Sequence, residues 1–136
     1  MVLGIDIDGT ITRNPPFFAA LARAFRMTGN RVVVITFRED REGTVKDLAG
    51  WGVEYDVLVT SSLAEHLEHG VDQWKGVVCV NHGVDALIDD DLTVLHELRG
   101  STIGLLVMPP LADTEDRQEV LREPYSDARR ANPKRR

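Results

Sequence analysis

The sequence has a single cysteine, Cys79, so no disulfide can form within the chain and the fold must rest on a packed core. Aromatic residues are scarce, at 6%. The two tryptophans, Trp51 and Trp74, read as packing or rim residues, and nothing around them supports base stacking. No run of 18 apolar residues occurs, which excludes a membrane-spanning helix, and the first residues lack the pattern of a signal peptide. Positive charge is also short. Lys and Arg number 16 against 22 Asp and Glu, a net charge of −6. Residues 1–111 carry −7 of this, while residues 112–136 carry +1 and end in RRANPKRR. An acidic body argues against extensive non-specific nucleic-acid binding, which needs Lys and Arg for its phosphate contacts. A short basic tail is usually a solvated one. These absences predict a soluble protein of a reducing compartment, the cytoplasm.

What is present is enough apolar material for one domain. The chain has 136 residues, 43% of them hydrophobic, and a chain of this size buries roughly two thirds of its unfolded surface. Residues 1–111 are expected to form that domain, and residues 112–136 a short helix (EDRQEVLRE) and a basic tail.

Apolar runs predict strands at 2–8, 31–37, 55–60, 84–90 and 101–109. RVVVITF is apolar on both faces, the pattern of a parallel strand covered by helices. Between the strands lie helical signals. Asn14 with Pro15 opens a helix that Gly29 ends, its core stripe being Phe17, Phe18, Leu21, Ala24 and Phe25. Residues 41–51 form a second helix, ended by Gly50 and Gly52. Ser62 and Glu65 make a capping box for a third that closes at Gly70. DQWKGVVCVNHG has a strand-like VVCV centre, but Asp72 as N-cap and Gly83 as stop favour a helix. LTVLHELRG is a short helix that Gly100 ends. Strands alternating with helices predict βαβ units, hence a three-layer α/β/α, Rossmann-like fold on a five-stranded parallel sheet. Ligands of such sheets sit at the carboxyl ends of the strands, so the polar residues matter most where strands stop: DIDGT, TFRED, TSS and IDDD.

On an extended strand Asp6 and Asp8 point the same way and emerge from one tip. Two bare carboxylates so close repel, and one would hold a proton unless a cation relieved them. If strands one and four are neighbours, Asp6 and Asp90 can grip one Mg²⁺ between them, and Mg²⁺ readily takes phosphate oxygens as further ligands. One aspartate would then serve as nucleophile and the other as general acid and base. Gly9 permits a sharp turn that brings backbone N–H groups, Thr10 among them, towards phosphate oxygens. Thr36 can donate its hydroxyl to a phosphate oxygen. Lys75, expected in the first turn of its helix, can neutralise charge developing on the phosphoryl group.

These motifs resemble those of the haloacid dehalogenase (HAD) superfamily. GIDIDGTIT is similar to its motif I, DxDGT after an apolar strand; VVVITF to motif II; Lys75 followed by ALIDDD to motifs III and IV. The match spans residues 2–108. The resemblance implies Asp6 as nucleophile and Mg²⁺ ligand, and Asp8 as general acid/base whose backbone carbonyl also binds the metal. It implies Thr36 and Lys75 as phosphate ligands and Asp90 as the motif IV metal ligand, with Asp89 beside it. Asp8 favours phosphoryl chemistry, since the dehalogenases of the superfamily lack that acid. The short connections resemble the capless branch, whose members act on macromolecular phosphates or borrow a lid by oligomerising. TFREDREGTVKDLAGWGVEYDVL is also similar to the phosphatase domain of polynucleotide kinase-phosphatases, which implies contact of Arg38 with substrate phosphate.

Each of these residues also has a plain structural reading. Asp8-Gly9 alone would be a turn. Thr36 would cap the next loop. Lys75 would be a solvated helix lysine, with an unusual glycine after it. Arg38 would pair with Glu39 or Asp40. Asp91 is best read as an N-cap, and Cys79 as core. His66 and His69 lack a third ligand for zinc. The sequence thus predicts a Mg²⁺-dependent phosphatase for a small phosphometabolite such as a nucleotide or sugar phosphate, with an oligomer supplying any lid. The alternatives are a polynucleotide-end phosphatase and a non-catalytic phosphate-binding module. Loss of Asp6 or Asp8 would mark the last, and both are present.

Overall fold

A computed structural model describes residues 1–108; the expected C-terminal helix and basic tail lie outside the described residues. The chain runs β1 (Val2–Ile5), a 3₁₀ turn (Ile11–Arg13), α1 (Pro15–Met27), β2 (Arg31–Ile35), α2 (Arg41–Trp51), β3 (Val57–Val59), α3 (Leu63–His69), α4 (Val71–His82), β4 (Ala86–Asp89), α5 (Leu92–His96) and β5 (Ile103–Leu106). The strands form one all-parallel sheet in the order β3-β2-β1-β4-β5. The chain builds outwards from β1 to β3, then returns to the other side of β1 for β4, so the strand order reverses between β1 and β4. That reversal opens a crevice at the carboxyl ends of the two strands.

Helices cover both faces of the sheet. On β2, Val32 and Val34 pack with Phe18 and Ala22 of α1 and Leu48 of α2. Val33 and Ile35 point the other way, into Trp74, Val78 and Cys79 of α4 and Val94 of α5. This strict alternation is why a run apolar at every position is needed: each face has its own core. No helix among the described residues is long and apolar enough to cross a membrane.

The ambiguous VVCV segment is helical, within α4. Trp74, Lys75, Val78 and Cys79 recur at helical spacing and are all buried, and Gly83 closes the helix in the left-handed region at φ 63°. The N-cap is Gly70 rather than Asp72, because α3 runs almost directly into α4 and leaves no room for a later start. Lys75 is therefore the fifth residue of its helix and lies in its second turn, not the first. The α1 stripe is narrower than expected. Phe18 and Ala22 are buried and Leu21 and Phe25 half-buried, but Phe17 and Ala24 face solvent, since a helix on a flat sheet buries a single stripe. Strands and the last helix are shorter than their apolar runs: α5 stops at His96 and β5 covers 103–106.

Candidate active site

The first strand stops at Ile5, not at Asp8. The Asp6 N–H still donates to the Ile88 carbonyl at 3.0 Å, prolonging the β1–β4 ladder by one bond, and then the chain turns. The Thr10 and Thr12 N–H groups both fold back onto the Ile7 carbonyl, at 3.1 and 3.2 Å. The turn depends on Gly9, which has φ 83° and lies against the Asp90 carboxylate, so that any Cβ there would overlap it. The two aspartates accordingly part company. Asp6 is buried, whereas the Asp8 side chain is 60% exposed. Strand alternation was the wrong geometry for this pair; the turn separates them while both still line one cleft.

Asp6 is held on both oxygens. Thr10, itself fully buried, donates its hydroxyl to Oδ2 at 2.9 Å, and Lys75 Nζ donates to Oδ1 at 2.7 Å. The same ammonium donates to Asp89 Oδ2 at 2.7 Å and sits 4.6 Å from the Phe37 ring centroid. Lys75 is only 1% exposed and bonds two acids directly, so it is no solvated helix lysine. Asp89 ends β4. Its other oxygen accepts the Asp91 N–H at 2.9 Å, and Asp91 in turn caps α5 through the Thr93 N–H. Asp90 hangs between them over Gly9. The glycine after Lys75 also has a reason: a Cβ on Gly76 would stand 2.7 Å from the Glu97 carbonyl, so only glycine lets α4 approach the end of α5.

Asp6, Asp89 and Asp90 each bring one carboxylate oxygen to a common point, all within 4.8 Å of one another. Three acids and one lysine leave this cluster two negative charges in excess, which suits a divalent cation with oxygen ligands. The electrostatics agree. Burial, reinforced by Asp89 and only partly offset by Lys75, pushes the Asp6 carboxyl up to about 6. Burial and Asp89 raise Asp90 as well. Burial works against the Lys75 charge, but Asp6 and Asp89 outweigh it and raise its pKa.

Arg38 grips Asp8 on both oxygens, Nε to Oδ2 and Nη2 to Oδ1, each at 2.8 Å. The hydrogen bonds from Arg38 hold the Asp8 carboxyl below the usual range. Nη1 reaches Asp47 Oδ2 at 2.7 Å, and the guanidinium carbon lies 5.8 Å from the centroid of the Trp51 ring. Arg38 thus pairs with neither Glu39 nor Asp40. Its N–H donates to Thr36 Oγ1 at 3.1 Å, so Thr36 does cap the loop; a hydroxyl that accepts there can still donate into the cleft it lines. The cleft has a volume of about 420 Å³ and brings together Asp6, Asp8, Thr36, Lys75, Asp89 and Asp90. Arg38 meets it through Asp8.

Phe37, Asp47 and Trp51 were not singled out from the sequence as site residues. Asp47 and Trp51 stand four apart in α2, which places them on one helix face, but no local pattern links them to Arg38. The histidines play no part in this cleft: His66 packs between Phe37 and Trp74, and His69 lies beside Glu68.

No protein-family model and no curated protein matches the chain. Among solved structures it is similar to a chain of the Pnkp1/Rnl/Hen1 RNA repair complex, with a TM-score of 0.62 and 21% identity, over 78% of this chain and 42% of that one. A chain from a second structure of the Pnkp1/Rnl/Hen1 complex gives a TM-score of 0.61 and 20% identity, over 78% and 45%. At this identity the likeness concerns the fold. The match takes in less than half the length of either neighbour.

Proposed function

We propose that this chain is a Mg²⁺-dependent phosphatase of the HAD type, hydrolysing a phosphomonoester through an aspartyl-phosphate on Asp6. The reading is carried by the convergence at the β1–β4 switch point: a buried aspartate held by Thr10 and Lys75, with two further carboxylates from β4 within 4.8 Å. Asp6, Asp89 and Asp90 would hold the ion, which would supply positive charge to offset the acids and to favour phosphate oxygens. The remaining chemistry belongs to the side chains. A carboxylate oxygen of Asp6 attacks phosphorus and the bond to the leaving oxygen breaks. Asp8 gives that oxygen a proton. Asp8 then takes a proton from a water as the water attacks the phosphorus of the intermediate, which returns Asp6 and releases inorganic phosphate. Lys75 and the Thr36 hydroxyl stabilise charge on the phosphoryl oxygens.

The substrate is a small phosphomonoester, in keeping with an acidic body that has few Lys and Arg for extended polynucleotide contacts. A second reading, removal of a phosphate from a polynucleotide end, is favoured by the neighbours' membership of an RNA repair complex and by Arg38, which is bonded to Asp8 of the cleft. One experiment tests both. Phosphate release is measured, in Mg²⁺ and in EDTA, from p-nitrophenyl phosphate, nucleoside monophosphates, sugar phosphates and oligonucleotides phosphorylated at either end, with Asp6→Asn alongside. The expected result is Mg²⁺-dependent release that Asp6→Asn loses while keeping its fold. An active Asp6→Asn enzyme refutes the covalent route, and the preferred substrate decides between the two readings.

A further inference from the structure

Arg38 is fixed at its root and at its tip. Its backbone N–H donates to Thr36 Oγ1 at 3.1 Å, and its carbonyl accepts the Ser61 N–H at 3.0 Å, tying it to the ends of β2 and β3. At the tip, Nε and Nη2 form a fork on Asp8 while Nη1 is held by Asp47 over the Trp51 ring. The side chains of Asp8 and Asp47 are 60% and 50% exposed. Neither acid is immobilised by burial, so the shared guanidinium is what orders both.

The fork that Arg38 lays on Asp8 is also a geometry for binding phosphate. An arriving phosphate offers the same pair of oxygens with more charge, and it can displace the Asp8 side chain, which is 60% exposed. Once Asp8 leaves, Nε and Nη2 present two parallel N–H groups, the geometry that fits two oxygens of a phosphate. The bond to Asp47 and the Trp51 face remain.

We propose that Asp47, supported by Trp51, is a positioning residue: it holds the Arg38 guanidinium beside Asp8 of the cleft while the Nε–Nη2 fork passes from the Asp8 carboxylate to oxygens of the substrate phosphate. The inference rests on the phosphatase reading above. It makes Asp8 and phosphate competitors for one cation, and it assigns Asp47 the task of ordering a long flexible side chain before substrate arrives, so that the cost is not drawn from substrate binding.

The test uses inorganic phosphate with Mg²⁺ as the probe, with binding measured by calorimetry and the Arg38 Nε–H resonance followed by ¹⁵N NMR. In wild type that resonance is expected to be sharp without phosphate and to shift on titration. Asp47→Ala should broaden it and weaken phosphate binding by on the order of tenfold, as expected for losing a hydrogen bond to a charged group. Asp47→Glu should recover most of the affinity. Asp47→Leu, similar in size but with no acceptor, controls for lost packing on α2 and should resemble Asp47→Ala. In turnover assays KM should rise more than kcat falls. An Arg38 resonance that ignores phosphate in wild type, or an Asp47→Ala protein that binds it within about twofold of wild type, overturns the proposal. Asp6-dependent turnover beside a silent Arg38 would sink this inference and leave the phosphatase reading standing. A responsive Arg38 in a protein that releases phosphate from nothing would do the reverse.

Discussion

Lys75→Met offers the sharpest test of how the site is held together. Methionine keeps the length and apolar stem of lysine, so packing against Phe37 and the sheet changes little. The charge is lost from a position 1% exposed, where Nζ stands 2.7 Å from both Asp6 and Asp89. Removing one partner from a buried ion pair costs about 3–5 kcal/mol, because the other charge stays buried without compensation. For a domain of this size that is a fall in Tm on the order of 10–20 °C. The cost should depend on pH. Asp6 in wild type is already raised to about 6 by burial, and without Lys75 it is raised further. An acid whose folded pKa lies above its unfolded value, about 4, binds its proton more tightly when folded. Its stability is whole below pH 4 and is lost as pH rises through the folded value. The variant should therefore be less destabilised near pH 4–5 than above pH 6. Urea unfolding followed by circular dichroism, at pH 5 and pH 8 with EDTA present, measures both values. A Lys75→Met protein within about 1 kcal/mol of wild type at pH 8, or one no less destabilised at pH 8 than at pH 5, would refute the reasoning.

Two glycines carry further predictions. Gly9→Ala must place a Cβ against the Asp90 carboxylate at a φ of 83°, so it should displace Asp90 and weaken divalent-cation binding by at least roughly tenfold; Mn²⁺ titration by electron paramagnetic resonance reads this without turnover. Gly76→Ala brings a Cβ to 2.7 Å from the Glu97 carbonyl and should cost about 1–3 kcal/mol by forcing α4 from α5, visible as a lower urea midpoint at unchanged slope. Mg²⁺ should raise Tm in proportion to the logarithm of its concentration above Kd, and Asp90→Asn should remove most of that rise. An equal rise in Asp90→Asn would place the ion elsewhere.

Much of this protein is readable along the chain because the signals are local. Runs such as RVVVITF declare a strand with two covered faces, and alternation with capped helices declares the parallel sheet. The stops at Asp6, Thr36 and Asp89-Asp90 then declare where polar chemistry gathers. Hydrophobic periodicity and capping are properties of neighbouring residues, so they survive without any knowledge of the fold. The errors are local as well. Strand alternation places Asp6 and Asp8 together at one tip, but a turn closed on the Ile7 carbonyl ends the strand first, because turn and strand compete for the same few residues. Asp72 looked like an N-cap until the packing of α3 against α4 moved the start to Gly70.

By itself, then, the sequence determined the layers, the order of elements and the acids at the tips of β1 and β4. Tertiary structure alone decided that Lys75 bridges Asp6 and Asp89, 69 and 14 residues away, and that Arg38 answers Asp8 and Asp47 rather than its neighbours Glu39 and Asp40. The physical reason is distance. A charge chooses its partner by proximity and desolvation, both of which are set only when β4 comes to lie beside β1 and α2 packs against the sheet.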